Sequence, residues 1–140
     1  ATRAGLRVGS ADAGGRVTVL LFWATWCPPC KRAVPAVQAL LERHGDDALR
    51  AVAITCAETD SAGRATGDDP ESVLREHGGS FPVVAAGDAV AREHHVTAYP
   101  TICVVGRDGL VAAVLVGFGA DGADALAQAV ARAVGAAAGR

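Results

Sequence analysis

An α/β fold, with a mixed central sheet layered between helices, is predicted for this chain on three observations. Val17–Trp23 (VTVLLFW) is a continuous apolar run rich in strand formers, the pattern of a strand buried on both faces. Val34, Val37, Leu40 and Leu41 then recur at spacings of three and four, as on one side of a helix. Farther on, Thr101–Val105 and Leu110–Val116 flank Gly106-Arg107-Asp108-Gly109, a turn sequence that suits an antiparallel hairpin. Strand, helix, strand, hairpin and closing helix make a single domain of the 140 residues.

Taken in order, the first sixteen residues are mixed and glycine-rich, with room for a short edge strand near Leu6–Val8. After the first core strand, a helix runs from Cys27 to about His44, where Gly45 stops it. Pro35 lies inside this helix and is expected to kink it. Leu49–Cys56 (LRAVAITC) is the second core strand, followed by a polar loop from Glu58 to Pro70. Pro70 opens a short helix reaching about His77. Phe81–Ala85 reads as a third short strand and Asp88–His95 as a short helix. The last helix spans about Gly122 to Val134, with Leu126, Val130 and Val134 four apart, and Gly135–Arg140 is expected to fray. No internal repeat and no second domain interrupts this pattern.

Composition narrows the function. The chain is 51% hydrophobic, but with only three Phe, two Trp and one Tyr the core must come from Val, Leu, Ile and Ala. Net charge is -2 with acids and bases mixed, and no basic block or aromatic-basic stripe offers a nucleic-acid surface. The longest apolar runs fall far short of the roughly 20 residues that span a bilayer, so no part of this segment is expected to insert in a membrane. Methionine is absent even from position 1, and any signal peptide or anchor is expected upstream of Ala1. Four cysteines are too few for a disulfide scaffold, and only Cys27 and Cys30 are close together.

Those two cysteines lie in FWATWCPPCKRAVP, at the carboxyl end of the first core strand, where open α/β sheets place their chemistry. At a helix start the Cys27 sulfur meets free backbone N–H groups and the positive end of the helix dipole. Both favour thiolate, so its pKa is expected below the free value of about 8.5. Cys30 sits one turn further in, more buried and less acidic. That asymmetry suits attack by Cys27 on a partner disulfide and resolution of the mixed disulfide by Cys30. Pro28 and Pro29 stiffen the turn and remove two N–H donors. Three plainer readings stand beside this one. A zinc site would need about four ligands, and the nearest second pair, His94-His95, is adjacent and so poorly placed for one ion. A structural bridge closing so short a loop would constrain the unfolded chain little. The third is a redox fold that no longer performs redox chemistry.

FWATWCPPC resembles the active site of the thioredoxin fold, and Pro35, five residues after Cys30, matches that family's helix proline. A second match is Tyr99-Pro100-Thr101, just ahead of TICVV, where thioredoxin-like proteins carry a cis-proline across from the cysteine pair. The resemblance implies a three-layer α/β/α fold in which the Tyr99 backbone pairs with an incoming peptide. An ordinary trans loop is the plainer reading of Tyr99-Pro100. Positions 27 and 100 are farther apart than in compact thioredoxins, and a helix and strand over about Pro70–Asp88 account for the excess. That insertion, with VVGRDG, makes the chain similar to the TlpA-like thiol-disulfide oxidoreductases over about residues 16–134. Those are mostly held outside the cytoplasm, and many reduce disulfides there, including in cytochrome c maturation.

Two departures stand out. Leu21 occupies the strand position where many thioredoxins bury an Asp, and Ala33 the position where many TlpA-like proteins carry a Glu. Such a carboxylate can take the Cys30 proton during resolution, so that task falls to water, an exposed loop acid or Glu58. Cys56 and Cys103 lie in strands that, by the family's strand order, flank the central one. Next-nearest strands stand about 9.5 Å apart, beyond the roughly 7 Å Cα limit for a disulfide, so both are expected as reduced core residues. Trp26, Pro28, Tyr99 and Pro100 are expected to form the apolar docking patch around the sulfur, with Trp23 buried. His44, His77, His94 and His95 are expected at the surface without a catalytic role. The resemblance thus implies a monomeric, extracytoplasmic thiol-disulfide oxidoreductase needing no cofactor or metal, working on protein disulfides with an unidentified redox partner, more as reductase than oxidant. The alternative is a thioredoxin-like module that binds peptides through the same patch with slow redox chemistry. Thiol peroxidase activity is weaker, because those enzymes set their cysteine in a different sequence context.

Overall fold

The computed structural model describes residues 15–57, 69–85 and 87–138. Five strands form one sheet: β1 (Val17–Trp23), β2 (Leu49–Thr55), β3 (Val83–Val84), β4 (Thr101–Val105) and β5 (Val111–Val116). Among the described residues there are four helices: α1 (Pro28–His44), α2 (Pro70–Glu76), α3 (Asp88–Glu93) and α4 (Gly122–Ala138). The strand order is β3-β2-β1-β4-β5. β1, β2 and β3 run parallel, and β4 pairs antiparallel with both β1 and β5, which is the mixed sheet expected.

β1 is central, and every residue of it is buried. Its alternation feeds two cores. Val17, Val19, Leu21 and Trp23 join Val34, Val37 and Leu40 of α1, Val73 and Leu74 of α2, and Leu126 and Val130 of α4. Leu20 and Phe22 point the other way, to Val90 and Ala91 of α3 with Ile54 and Cys103. Burying each such aliphatic side chain is worth about 1.5–3 kcal/mol, so this strand anchors both layers. The Trp23 indole, also buried, donates to Thr55 Oγ1 at 3.1 Å, satisfying its one polar atom.

α1 runs unbroken through Pro35 to His44. It ends at Gly45, whose N–H still donates to Leu41 O at 2.9 Å and whose positive φ of 82° then turns the chain out of the helix. The hairpin turn forms as expected, with Gly109 at φ 84° and Gly106 N donating to Leu110 O at 2.8 Å.

Several boundaries differ from the expected ones, among them the end of β2, at Thr55 rather than Cys56. The third strand shrinks from Phe81–Ala85 to Val83–Val84, because Phe81 turns into the core and Pro82 has no N–H for the ladder. Pro82 contributes only its carbonyl, which accepts from Ala53 N at 2.9 Å. α3 stops at Glu93, and His94 and His95 form a turn in which His95 has φ 59°. α4 continues to Ala138 rather than fraying after Val134, as its alanines favour helix. Leu110 precedes β5 rather than opening it. The expected strand near Leu6–Val8 and most of the Glu58–Pro70 loop lie outside the described residues.

Candidate active site

Leaving β1, the chain turns so that Cys27 N donates back to Ala24 O at 3.2 Å. Cys27 is the N-cap of α1, with extended backbone (φ -98°, ψ 111°) and no side-chain capping bond. Its carbonyl accepts from Lys31 N at 3.1 Å, the first hydrogen bond of the helix. Pro28 and Pro29 fill the opening helical positions, where a missing N–H costs nothing and a fixed φ is already helical.

Both sulfurs are free thiols, with Cys27 5% exposed and Cys30 fully enclosed. Burial pushes the Cys30 thiol well above its ordinary value. Its hydrogen bond with Cys27 adds to this, and the Ala24 and Cys30 amides partly oppose it. The expected asymmetry of burial is therefore present, and Cys30 holds its proton firmly.

Across the sulfurs, the Tyr99–Pro100 peptide is cis. Cys27 Sγ donates to Tyr99 O at 3.7 Å, so the backbone ahead of the proline faces the outer sulfur directly. Pro100 is buried, and its carbonyl accepts from Gly117 N at 2.8 Å, tying the turn to the end of β5. The half-buried Tyr99 phenol is pushed up to about 12, first by burial and then by nearby Cys56 and Asp88.

Trp26 stands 51% exposed beside the pair, and Pro28 is exposed as well. The four residues expected to ring the sulfur thus divide into two outward side chains, Trp26 and Pro28, and the inward Tyr99-Pro100 turn. The Trp26 indole is not loose, since it donates to Ala57 O at 2.7 Å.

Leu21 and Ala33 are fully buried in the core, which leaves no acid at either position. Glu58 lies outside the described residues. Cys56 and Cys103 are reduced and buried, following β2 and within β4 on opposite sides of β1, as expected. Burial pushes the Cys103 thiol upward too. Of the four histidines expected at the surface, His95 is exposed and His44, His77 and His94 are half-buried. His94 packs its ring on Phe22, centroids 5.8 Å apart, because the turn after α3 folds it against the core.

Sequence reasoning missed Asp88, which accepts from Ala57 N at 2.9 Å and stands near the Tyr99 phenol. The available signal was its place in the first turn of a short helix, which reads as ordinary dipole complementation. Among the described residues no helix is long and apolar enough to cross a membrane.

Comparison with known proteins bears on this geometry. The model of the AhpC/TSA family matches residues 2–114. The chain is 30% identical over 118 residues to the thioredoxin-like protein YneN of Bacillus subtilis, covering 83% of this chain and 65% of that one. It is 26% identical over 114 residues to the thiol-disulfide oxidoreductase ResA of Bacillus anthracis, covering 81% and 62%. The chain thus spans less than two thirds of the length of these curated relatives. Among solved structures, one described as a thiol:disulfide interchange protein DsbE from Chlorobium tepidum superposes with a TM-score of 0.74 at 26% identity, over 89% of this chain and 84% of that one. The fold is thioredoxin-like, with the additional α2–β3 segment.

Proposed function

The chain belongs to the AhpC/TSA family, among its TlpA-like thioredoxin-fold members, and from that premise we propose that it is a thiol-disulfide oxidoreductase acting on protein disulfides. The observation that carries this reading is the Cys27–Cys30 dithiol at the start of α1, with Cys27 Sγ 3.7 Å from the carbonyl ahead of cis-Pro100. An extended substrate strand can pair with that backbone and bring its disulfide over Cys27.

In the reducing direction, the Cys27 thiolate attacks one sulfur of the substrate disulfide, and the other sulfur leaves as a thiolate that takes up a proton. Cys30 then gives its proton to solvent and attacks Cys27 Sγ. The Cys27–substrate bond breaks, the second substrate thiol leaves, and the domain holds a Cys27–Cys30 disulfide. A partner dithiol returns it to the starting state. Trp26 and Pro28 supply the apolar contact area and the Tyr99-Pro100 edge the register. This reading makes the domain a monomer held outside the cytoplasm, as TlpA-like proteins mostly are.

One observation favours a second reading. With Leu21 and Ala33 apolar and Cys30 held protonated, resolution has no acid at either of these two positions to take the proton, as in a peptide-binding module with slow redox chemistry. Reduction of insulin by dithiothreitol, with wild type against the Cys27→Ser/Cys30→Ser double variant, separates the two. Acceleration by wild type alone is expected. Equal rates for both proteins sink the oxidoreductase reading.

A further inference from the structure

The described end of the loop after β2 is locked to the active site by residues outside the dithiol and its cis-proline turn. Ala57 has φ 55°, in the left-handed region that an L-residue with a Cβ rarely adopts. Both its peptide groups are engaged: its N–H donates to Asp88 Oδ1 at 2.9 Å and its carbonyl accepts from Trp26 Nε1 at 2.7 Å. The conformation persists because bonds on both sides of the residue hold it. Asp88 itself is fixed from below. Gly87 N donates to Thr55 O at 2.7 Å, and a Cβ at Gly87 would collide with Ile54, so α3 starts hard against β2.

We propose that Asp88 is a positioning residue, holding Ala57 so that its carbonyl fixes the exposed Trp26 indole beside Cys27 in the orientation that receives a protein substrate. The inference rests on the oxidoreductase reading for its kinetic consequence, though not for its geometry. Half-exposed and adjacent to the outer sulfur, a free indole would sample several rotamers. Ordering it before encounter removes that entropic cost from substrate binding. The chain Asp88–Ala57–Trp26 joins three elements, α3, the end of β2 and the turn before α1. It therefore lets the packing of α3 govern the docking surface.

Asp88 also lies in the first turn of α3, where any acid would complement the helix dipole. Two substitutions separate these roles. Asp88→Asn keeps an acceptor oxygen in place and loses the charge, whereas Asp88→Glu keeps the charge and displaces the oxygens by one methylene. Positioning through Ala57 predicts that Asn is tolerated and Glu is not, and a dipole role predicts the reverse. For Asp88→Ala and Asp88→Glu, KM for insulin is expected to rise about two- to tenfold, the worth of one hydrogen bond, with kcat nearly unchanged. In a Trp26→Phe background, Asp88→Ala should add little further increase, because its route has already been removed.

A second readout needs no turnover. Trp23 is buried and Trp26 half-exposed, so acrylamide quenching of tryptophan emission reports Trp26. Quenching is expected to strengthen in Asp88→Ala and Asp88→Glu and to stay at the wild-type level in Asp88→Asn. Unchanged quenching in folded Asp88→Ala and Asp88→Glu overturns the proposal, as does full independence of the Asp88 and Trp26 effects on KM. If wild type does not reduce insulin, the oxidoreductase reading fails while quenching still judges the clamp.

Discussion

Cys30 keeps its proton because its sulfur has no exposed surface and shares a hydrogen bond with Cys27. A buried anion loses its hydration, and the two amides that favour it do not offset that loss. Cys27, at the mouth, is the sulfur that a partner disulfide reaches first. The two roles can be assigned by trapping. Cys30→Ser removes the resolving thiol and should accumulate disulfide-linked adducts through Cys27, recoverable on non-reducing gels. Cys27→Ser should yield few, because the remaining sulfur is enclosed. Equal trapping by both variants would reverse or abolish the assignment of attacker and resolver.

At the level of elements, the space around Gly87 shows how tightly α3 is set on the sheet. Its φ of -87° is ordinary, so the only obstacle to a side chain there is steric: a Cβ would meet Ile54 in β2. Gly87→Ala is expected to destabilise by about 1–3 kcal/mol, read as a lower urea midpoint at unchanged slope. An unchanged midpoint would mean that α3 can back away from β2 at no cost. The strongly patterned elements were legible in the sequence: β1 and β4 begin and end at the expected residues, since seven and five consecutive apolar-run positions leave no other use for them. The dithiol and the Tyr99-Pro100 turn were legible through short motifs whose chemistry needs those residue types. Hidden from a linear reading were features decided by contacts across the sheet. Pro82 truncates β3 because its neighbour Phe81 has a core to enter, and the Asp88–Ala57–Trp26 clamp exists only once α3 and β2 meet. Local propensity carries no trace of the clamp, whereas for β3 its one trace is Pro82 itself, which interrupts a ladder wherever it falls.

For the whole molecule, the burial of Cys30 makes stability depend on pH and redox state together. A thiol whose folded pKa lies above its unfolded value contributes stability that is complete below the unfolded value, and that contribution is lost as pH rises towards the folded one. The ordinary thiol value is about 8.5, so in the dithiol protein, where the Cys30 thiol is raised, the loss starts near there and continues upward. Cys103, raised by burial alone, titrates in both redox forms and drops out of the comparison. Tyr99, raised mainly by burial and least by Cys30, differs little between them. In the Cys27–Cys30 disulfide form the Cys30 proton is gone from folded and unfolded chains alike, and its contribution with it. Melting temperatures of the oxidised and reduced proteins, measured in parallel from pH 7 to pH 10.5, should therefore separate above about pH 9, with the reduced form falling faster. The same linkage makes alkaline conditions favour the disulfide over the folded dithiol, by more than for two exposed thiols. A gap between the two melting curves that stays constant across this range would show that Cys30 ionises in the folded protein as readily as in the unfolded one. Its enclosure would then contribute nothing to the balance between dithiol and disulfide.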